Sequence, residues 1–521
     1  MVTARWLPGL VVGAGLAAAW GAARYAGTVT ALLVVALLTT LALPPAQRRL
    51  VSPRWAGLGL AVLAVGWAVA LDHELALRHT VLFVLAAALF GLAKRAGADD
   101  RLVAVLAVGI AATAIMALLQ AAGSTVAPLE ALSELAPELR ARAAQRLAIG
   151  RATGTASIPG HFAALLIVVA PLLVAGLARA ASWRRLVWAA ALALVVTGVV
   201  LSRSLAAVLI AGMVGALGVA LLRPRWKVLA VGAAAILAIG ASTALLRTDL
   251  AGLEPLRLRW VNWQTAAWVF SERPWLGAGL GGVGQAGLTA PTGAANITPY
   301  THNTYLQLAA ELGVPGMALV VAGVVALWRL VAAGRRDHLP LALAVAALPL
   351  HNLVDFSAYS PEVVLPWAVL AGTLAARVRP ATTVPLSSWL LVPVLGGGLV
   401  LAAAAWRSEV LLTSAYAAPS AGAIELAMAA GRWAPWTVTA TQAAAGAALG
   451  ASDPRLSEIE RELARRWWVR PVSAAWAETR ARVLLALRRN GAALVWAREA
   501  RRRAPWRGEL AELEERCRDA S

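Results

Sequence analysis

Apolar runs of about 16–22 residues recur along the chain up to about residue 404, and they limit what it can fold into more than any other feature. A helix of that length crosses a hydrocarbon layer of about 30 Å. No water is present there to pair backbone polar groups, so each run must satisfy its own as a helix. The runs are mostly Ala, Leu and Val without period-two alternation, which excludes a β-barrel. Thirteen spans are predicted, at 7–23, 29–45, 55–71, 79–93, 102–122, 160–178, 186–201, 204–222, 228–245, 312–332, 339–353, 362–377 and 386–404. The expected fold is all-α, a polytopic bundle of about 12–13 spans followed by a soluble helical tail. Leu7–Ala23 has no small-residue cleavage region and reads as a span rather than a signal peptide.

The formal charge of +20 would point to nucleic acid in a soluble protein. Here the cations sort by side of a membrane, so no nucleic-acid partner is expected. With a cytoplasmic N-terminus, the inner loops hold Arg48, Arg49 and Arg54; Lys94, Arg95 and Arg101; Arg179, Arg184 and Arg185; Arg223, Arg225 and Lys227; Arg335 and Arg336; Arg377 and Arg379. The short outer loops hold Arg24, Arg78 and Arg203. The positive-inside rule then puts the long loops 123–159 and 246–311 outside, together with a tail that follows an odd number of spans. Cys517 is the one cysteine, so no intrachain disulfide framework exists. The run 127–147 has an amphipathic pattern that suits a helix lying on the outer surface.

The tail, 406–521, is rich in charge and helical in pattern. Arg432-Trp433-Ala434-Pro435-Trp436, Trp468-Val469-Arg470-Pro471 and Ala504-Pro505-Trp506 place prolines 36 and 34 residues apart. That period suits tetratricopeptide-type helix pairs, which stack because no pair buries its apolar face alone. Such a module binds a partner protein; the alternative is a plain helical tail.

Most chemistry-bearing residues lie in or beside the loop 246–311: Arg257, Arg259, Trp260, Trp263 and Trp268, then Pro274-Trp275-Leu276-Gly277-Ala278-Gly279-Leu280-Gly281, then His302-Asn303 and Glu311-Leu312-Gly313. Guanidinium forks suit phosphate oxygens, and aromatic rings suit sugar faces. Gly277–Gly282 matches G-x-G-x-x-G in letters only, because no strand precedes it, and a tight turn is expected instead. No His, Cys, Asp or Glu cluster has metal-ligand spacing, so no metal or other cofactor is expected.

These strings resemble the O-antigen ligase and O-antigen polymerase (Wzy-type) superfamily. So do Arg151-Ala152-Thr153-Gly154-Thr155-Ala156-Ser157, Leu201-Ser202-Arg203-Ser204 and His351-x-x-x-Asp355, in the same order over about residues 100–380. The resemblance implies a metal-independent GT-C-type glycosyltransferase of a bacterial inner membrane. It implies an undecaprenyl-diphosphate-linked glycan as donor, and lipid A–core, a growing glycan or a protein as acceptor. The alternatives are a transporter of the same lipid-linked glycan or a scaffold acting through the tail.

The leaving diphosphate gathers negative charge, so preorganised cations are the expected catalytic term. Arg203 and Arg259 are the candidates, with Arg151 and Arg257 as donor-binding neighbours. The acceptor hydroxyl must lose a proton, and imidazole is the ordinary base at neutral pH. His302 is that candidate, and the resemblance puts the family's histidine there. Asn303, Glu311, His351 and Asp355 are expected to line the substrate site. Each has a structural rival. Arg203 could snorkel at the interface, His302 could cap the following helix beside Asn303, Glu311 could brace a helix, and His351 could lock to Asp355.

Overall fold

The computed structural model describes residues 53–96, 100–123, 150–156, 158–222, 254–291, 298–378, 388–470, 473–505 and 507–521. The expected spans 7–23, 29–45 and 228–245 and the amphipathic run 127–147 lie outside them.

The apolar runs that are described form helices: α1 (Pro53–Ala68), α2 (His73–Ala96), α3 (Asp100–Ala112), α4 (Ala114–Ala121), α5 (Pro159–Arg179), α6 (Trp183–Ser202) and α7 (Leu205–Leu222). A further helix, α8 (Glu254–Glu272), and a short turn of helix, α9 (Val283–Ala286), lie inside the stretch expected to be loop. The bundle closes with α10 (Thr304–Gly334), α11 (Leu339–His351), α12 (Pro361–Val378) and α13 (Ser388–Ala417). Among the described residues, six segments are long and apolar enough to cross a membrane: His73–Lys94, Val103–Ala121, Pro159–Arg179, Trp183–Ser202, Thr304–Gly334 and Pro361–Val378; Leu205–Gly218 and Leu339–His351 are shorter apolar helices.

Short connections force consecutive helices to alternate in direction. One end of the bundle therefore collects Asp72, Arg151, Arg203, His302 and Asp355, and the opposite end collects Lys94, Arg179, Arg184, Arg335 and Arg377. The core between them is Leu, Val and Ala from α2, α5, α11 and α12 around Phe162.

The glycine-rich turn before α9 is a backbone joint. Gly277, Gly279 and Gly281 have φ of 68°, 76° and 70°, conformations that only glycine adopts at low cost. A Cβ on Gly279 would lie 2.2 Å from Ala70 Cα, and one on Gly277 would lie 2.4 Å from the Glu311 carbonyl carbon. Leu71 N–H donates to Ala278 O at 3.2 Å, and Ala278 N–H donates to Ala310 O at 2.9 Å. On the other side, α10 kinks at Gly313 (φ 63°), where Val314 N–H donates to Pro274 O at 2.8 Å. The Pro274–Gly281 and Glu311–Gly313 strings are thus two halves of one contact. Gly279→Ala is expected to lower stability by more than the roughly 1–3 kcal/mol of a strained backbone site, because the clash is with main chain; thermal unfolding in detergent reads it.

The tail boundary set at residue 405 falls inside α13, which runs unbroken to Ala417 and packs on α14 (Ser420–Trp433). Then follow α15 (Thr439–Ala451), α16 (Leu456–Arg465), α17 (Ala474–Ala486), α18 (Asn490–Arg503) and α19 (Gly508–Asp519). Three connections of the tail carry the same backbone hydrogen bond. Thr437 N–H donates to Ala434 O, Ser473 N–H to Arg470 O and Arg507 N–H to Ala504 O, each at 3.1 Å.

Candidate functional site

His302 stands in the connection between the glycine turn and α10, with φ 54°. Non-glycine residues in this region cost energy and are held there by their surroundings. The capping role falls to Asn303, whose Oδ1 accepts from Tyr305 N and Leu306 N at 3.0 Å each. Its Nδ2 donates to Leu353 O at 2.9 Å, which ties this connection to the one after α11. Asn303 therefore positions the loop, and the substrate contact expected of it is left with one N–H. The His302 carbonyl is met by Trp263 Nε1 of α8 at 3.4 Å.

Beside His302 lies a buried charge cluster. Its Nδ1, the buried ring nitrogen, is 3.7 Å from Asp355 Oδ1, a charge contact longer than a hydrogen bond. The His302 side chain retains 28% exposure against 3% for Asp355. Asp355 Oδ1 also accepts Phe356 N–H at 2.8 Å, and its Oδ2 lies 4.0 Å from His351 Nε2. His351 Nδ1 is in turn 3.1 Å from Ser357 Oγ. Burial alone would raise the Asp355 carboxyl, but the imidazoles of His302, His351 and His161 outweigh it and hold the group well below the usual carboxylate range. His351 and Asp355, expected as a pair, stand 4.0 Å apart, both buried, and Asp355 faces His302 as well.

The ionised Asp355 gives a signed pH prediction. A carboxyl with a depressed folded-state pKa stabilises the fold above its unfolded value of about 3.9, and loses that contribution as pH falls toward the folded value. Asp355→Asn should therefore lower the unfolding midpoint above about pH 5, with the gap closing below about pH 4. A gap that widened in acid would contradict this.

Glu311 has no exposed surface. Gln307 Nε2 donates to it at 2.6 Å and Tyr359 Oη at 2.8 Å. These contacts link α10 to the turn after α11. Burial, then the Glu311 charge, pushes the Tyr359 hydroxyl far above its ordinary range, so it stays a donor.

The arginines come from two other connections and from α8. Arg203 caps α6 in the left-handed conformation (φ 48°, ψ 37°) with its side chain exposed. Arg151 is joined to it: Arg151 Nε donates to Ser202 O at 3.0 Å, and Ala152 N–H to Leu201 O at 3.0 Å. The chain that follows packs Gly154 on the Phe162 ring and meets Asp355 at the start of α5, where a Cβ on Gly160 would lie 2.7 Å from Asp355 Oδ2. Arg259 is half-buried on α8, one turn before Trp263, and its charge acts on His351; Arg257 is more exposed.

Two groups went unassigned from sequence. His161 Nδ1 lies 3.8 Å from Glu362 Oε1, both buried, and the His161 ring packs edge-on to Phe356. Phe356 also stacks on Tyr300 (centroids 4.2 Å apart, 6° between planes) and meets His302 edge-on. The signal for the pair was an ionisable residue at the start of each of two apolar spans, a costly placement that usually has a purpose. Among the described residues, no group of three or more His, Cys, Asp or Glu has a geometry that holds a metal.

Residues 189–321 match the family model described as O-antigen ligase. No curated protein matches the chain. The matched stretch takes in Arg203, Arg257, Arg259, the glycine turn, His302 and Glu311.

Proposed function

From the premise that this multi-pass membrane chain belongs to the O-antigen ligase superfamily, we propose that it is a metal-independent glycosyltransferase. It moves a glycan from a polyprenyl-diphosphate donor, of the undecaprenyl class in a bacterial inner membrane, to an acceptor. One observation carries the reading. Residues scattered from 151 to 355 come together at the end of the bundle away from most of its loop cations, a partly exposed imidazole is backed there by a buried carboxylate, and arginines stand on neighbouring connections and on α8. The positive-inside rule makes that the outer face and puts the tail outside with it.

The acceptor hydroxyl attacks the anomeric carbon as the bond to the lipid diphosphate breaks. His302 takes the hydroxyl proton on Nε2, because its Nδ1 faces Asp355. Asp355 holds the ring and stabilises the imidazolium, the role a carboxylate plays in other His–Asp pairs. Arg203 and Arg259, assisted by Arg151 and Arg257, neutralise the departing diphosphate. A single displacement inverts the anomeric centre. The repeated turns of the tail support a tetratricopeptide-like array that recognises acceptor or partner.

The acceptor is found by incubating purified protein and undecaprenyl-diphosphate glycan in EDTA with lipid A–core, with a glycosylatable peptide, or with neither. Transfer to lipid A–core identifies a ligase, lengthened lipid-linked glycan a polymerase, and peptide product a protein glycosyltransferase. Donor that stays intact in all three overturns the proposal.

A further inference from the structure

The tail is docked on the end of the bundle that carries His302. Arg470, in the second of the three repeated turns, reaches Asp72 Oδ2 with Nε at 3.0 Å and Glu74 Oε2 with Nη2 at 3.1 Å. These two acids are only 2% and 3% exposed, and Glu74 has a second cation in Arg78 at 3.3 Å. Beside them, Trp468 of the tail packs edge-on to His73, which packs edge-on to Trp67. Buried carboxylates are stable only when paired. The tail thus supplies a counter-charge to the loop between α1 and α2.

That loop is part of the site's frame. Asp72 caps α2 by accepting Leu75 N–H at 3.0 Å, and the flanking Ala70, Leu71 and Leu75 are the surface on which the glycine turn packs. One turn further along α2, His79 Nε2 meets Tyr300 Oη at 3.3 Å. Tyr300 stacks on Phe356, and Phe356 lies edge-on to His302. A continuous line of contacts joins Arg470 to His302.

We propose that Arg470 is a positioning residue: by docking the tail on Asp72 and Glu74 it fixes the start of α2, and through His79 and the Tyr300–Phe356 stack it holds His302 in place. This rests on the glycosyltransferase reading, and the test keeps the two separable. Arg470→Ala leaves the two acids short of a partner under the tail, so the tail lifts away to hydrate them. Arg470→Lys keeps a charge but loses the fork that meets both acids at once, and restores the joint only in part.

The experiment uses full-length protein in detergent. Hydrogen exchange of the segment 69–76 reads docking, and undecaprenyl diphosphate released from donor with saturating acceptor reads turnover. Arg470→Ala and Arg470→Glu are expected to speed exchange at least tenfold and to lower kcat about tenfold, with donor KM within twofold of wild type. The charge swap Arg470→Glu with Glu74→Arg, which keeps the Asp72 cap, is expected to restore both. Unchanged exchange in Arg470→Ala overturns the latch. Faster exchange with unchanged kcat overturns the positioning role. A wild type that releases nothing overturns the glycosyltransferase reading and with it the role in catalysis, whereas the latch still stands or falls on exchange and its rescue by the swap.

Discussion

Replacing His302 by Ala is expected to lower glycan transfer by about 10²–10⁴-fold, the range that a positioned general base contributes. The fold should survive, because the side chain is 28% exposed and Asn303, not His302, caps α10. The loss should fall on kcat, since imidazole acts on the acceptor proton and has no part in holding the diphosphate. Donor binding to His302→Ala, measured by titration with the lipid-linked glycan, should stay within severalfold of wild type. His302→Gln keeps a polar group of similar reach without a titratable nitrogen and should be as slow. Full turnover in either variant would remove the base from the mechanism.

The second large effect is expected at the arginines. Arg203→Ala and Arg259→Ala should each lower kcat by about 10²–10³-fold, the cost of removing one preorganised donor to developing charge. Here donor affinity should weaken too, because the diphosphate is charged before the bond breaks. Lys in either place keeps a charge without the planar fork and should recover only part of the rate. Arg203 is the sharper test: it is exposed, and its left-handed backbone lets Ala or Lys be compared with Gly, which relieves that conformation. If Arg203→Gly and Arg203→Lys were both as active as wild type, the residue would be a helix cap and nothing more.

Much of this arrangement was legible in the sequence, for identifiable reasons. Apolar length forces a helix, so every described run became helical, the run 102–122 as two helices, α3 and α4. Where the ends moved far, a polar turn had joined the span: α10 begins at Thr304 rather than 312, because Asn303 caps it and the Gly313 kink separates its polar first turns from the apolar rest. The helix α8 was hidden for the opposite reason. Arg257, Arg259, Asn262 and Gln264 broke its apolar run, and it packs against α10 and the glycine turn. In the tail, Thr437 N–H to Ala434 O, Ser473 N–H to Arg470 O and Arg507 N–H to Ala504 O share one spacing and one length, which is what the structure adds to the proline spacing.

The site was legible by residue and less so by role. Arg151, Arg203, His302 and Asp355 were named from separate motifs, and the fold brings them to one end. Asn303 and Glu311 were named as substrate contacts, and the contacts the structure gives them are with backbone N–H groups and with a buried tyrosine. Linear spacing cannot tell a polar group facing substrate from one facing its neighbours. His161 with Glu362, and Asp72 and Glu74 with Arg470, were missed because their partners lie hundreds of residues apart.

The most direct test of the account is whether the donor's glycosyl–diphosphate bond breaks at this site. Purified wild-type protein, with undecaprenyl-diphosphate glycan, the acceptor found above and EDTA, is assayed for free undecaprenyl diphosphate. The account predicts release by the wild type, abolished in His302→Ala. Donor that is bound and carried across a vesicle membrane with its bond intact would contradict it, and would make the arginine-lined end a transport site.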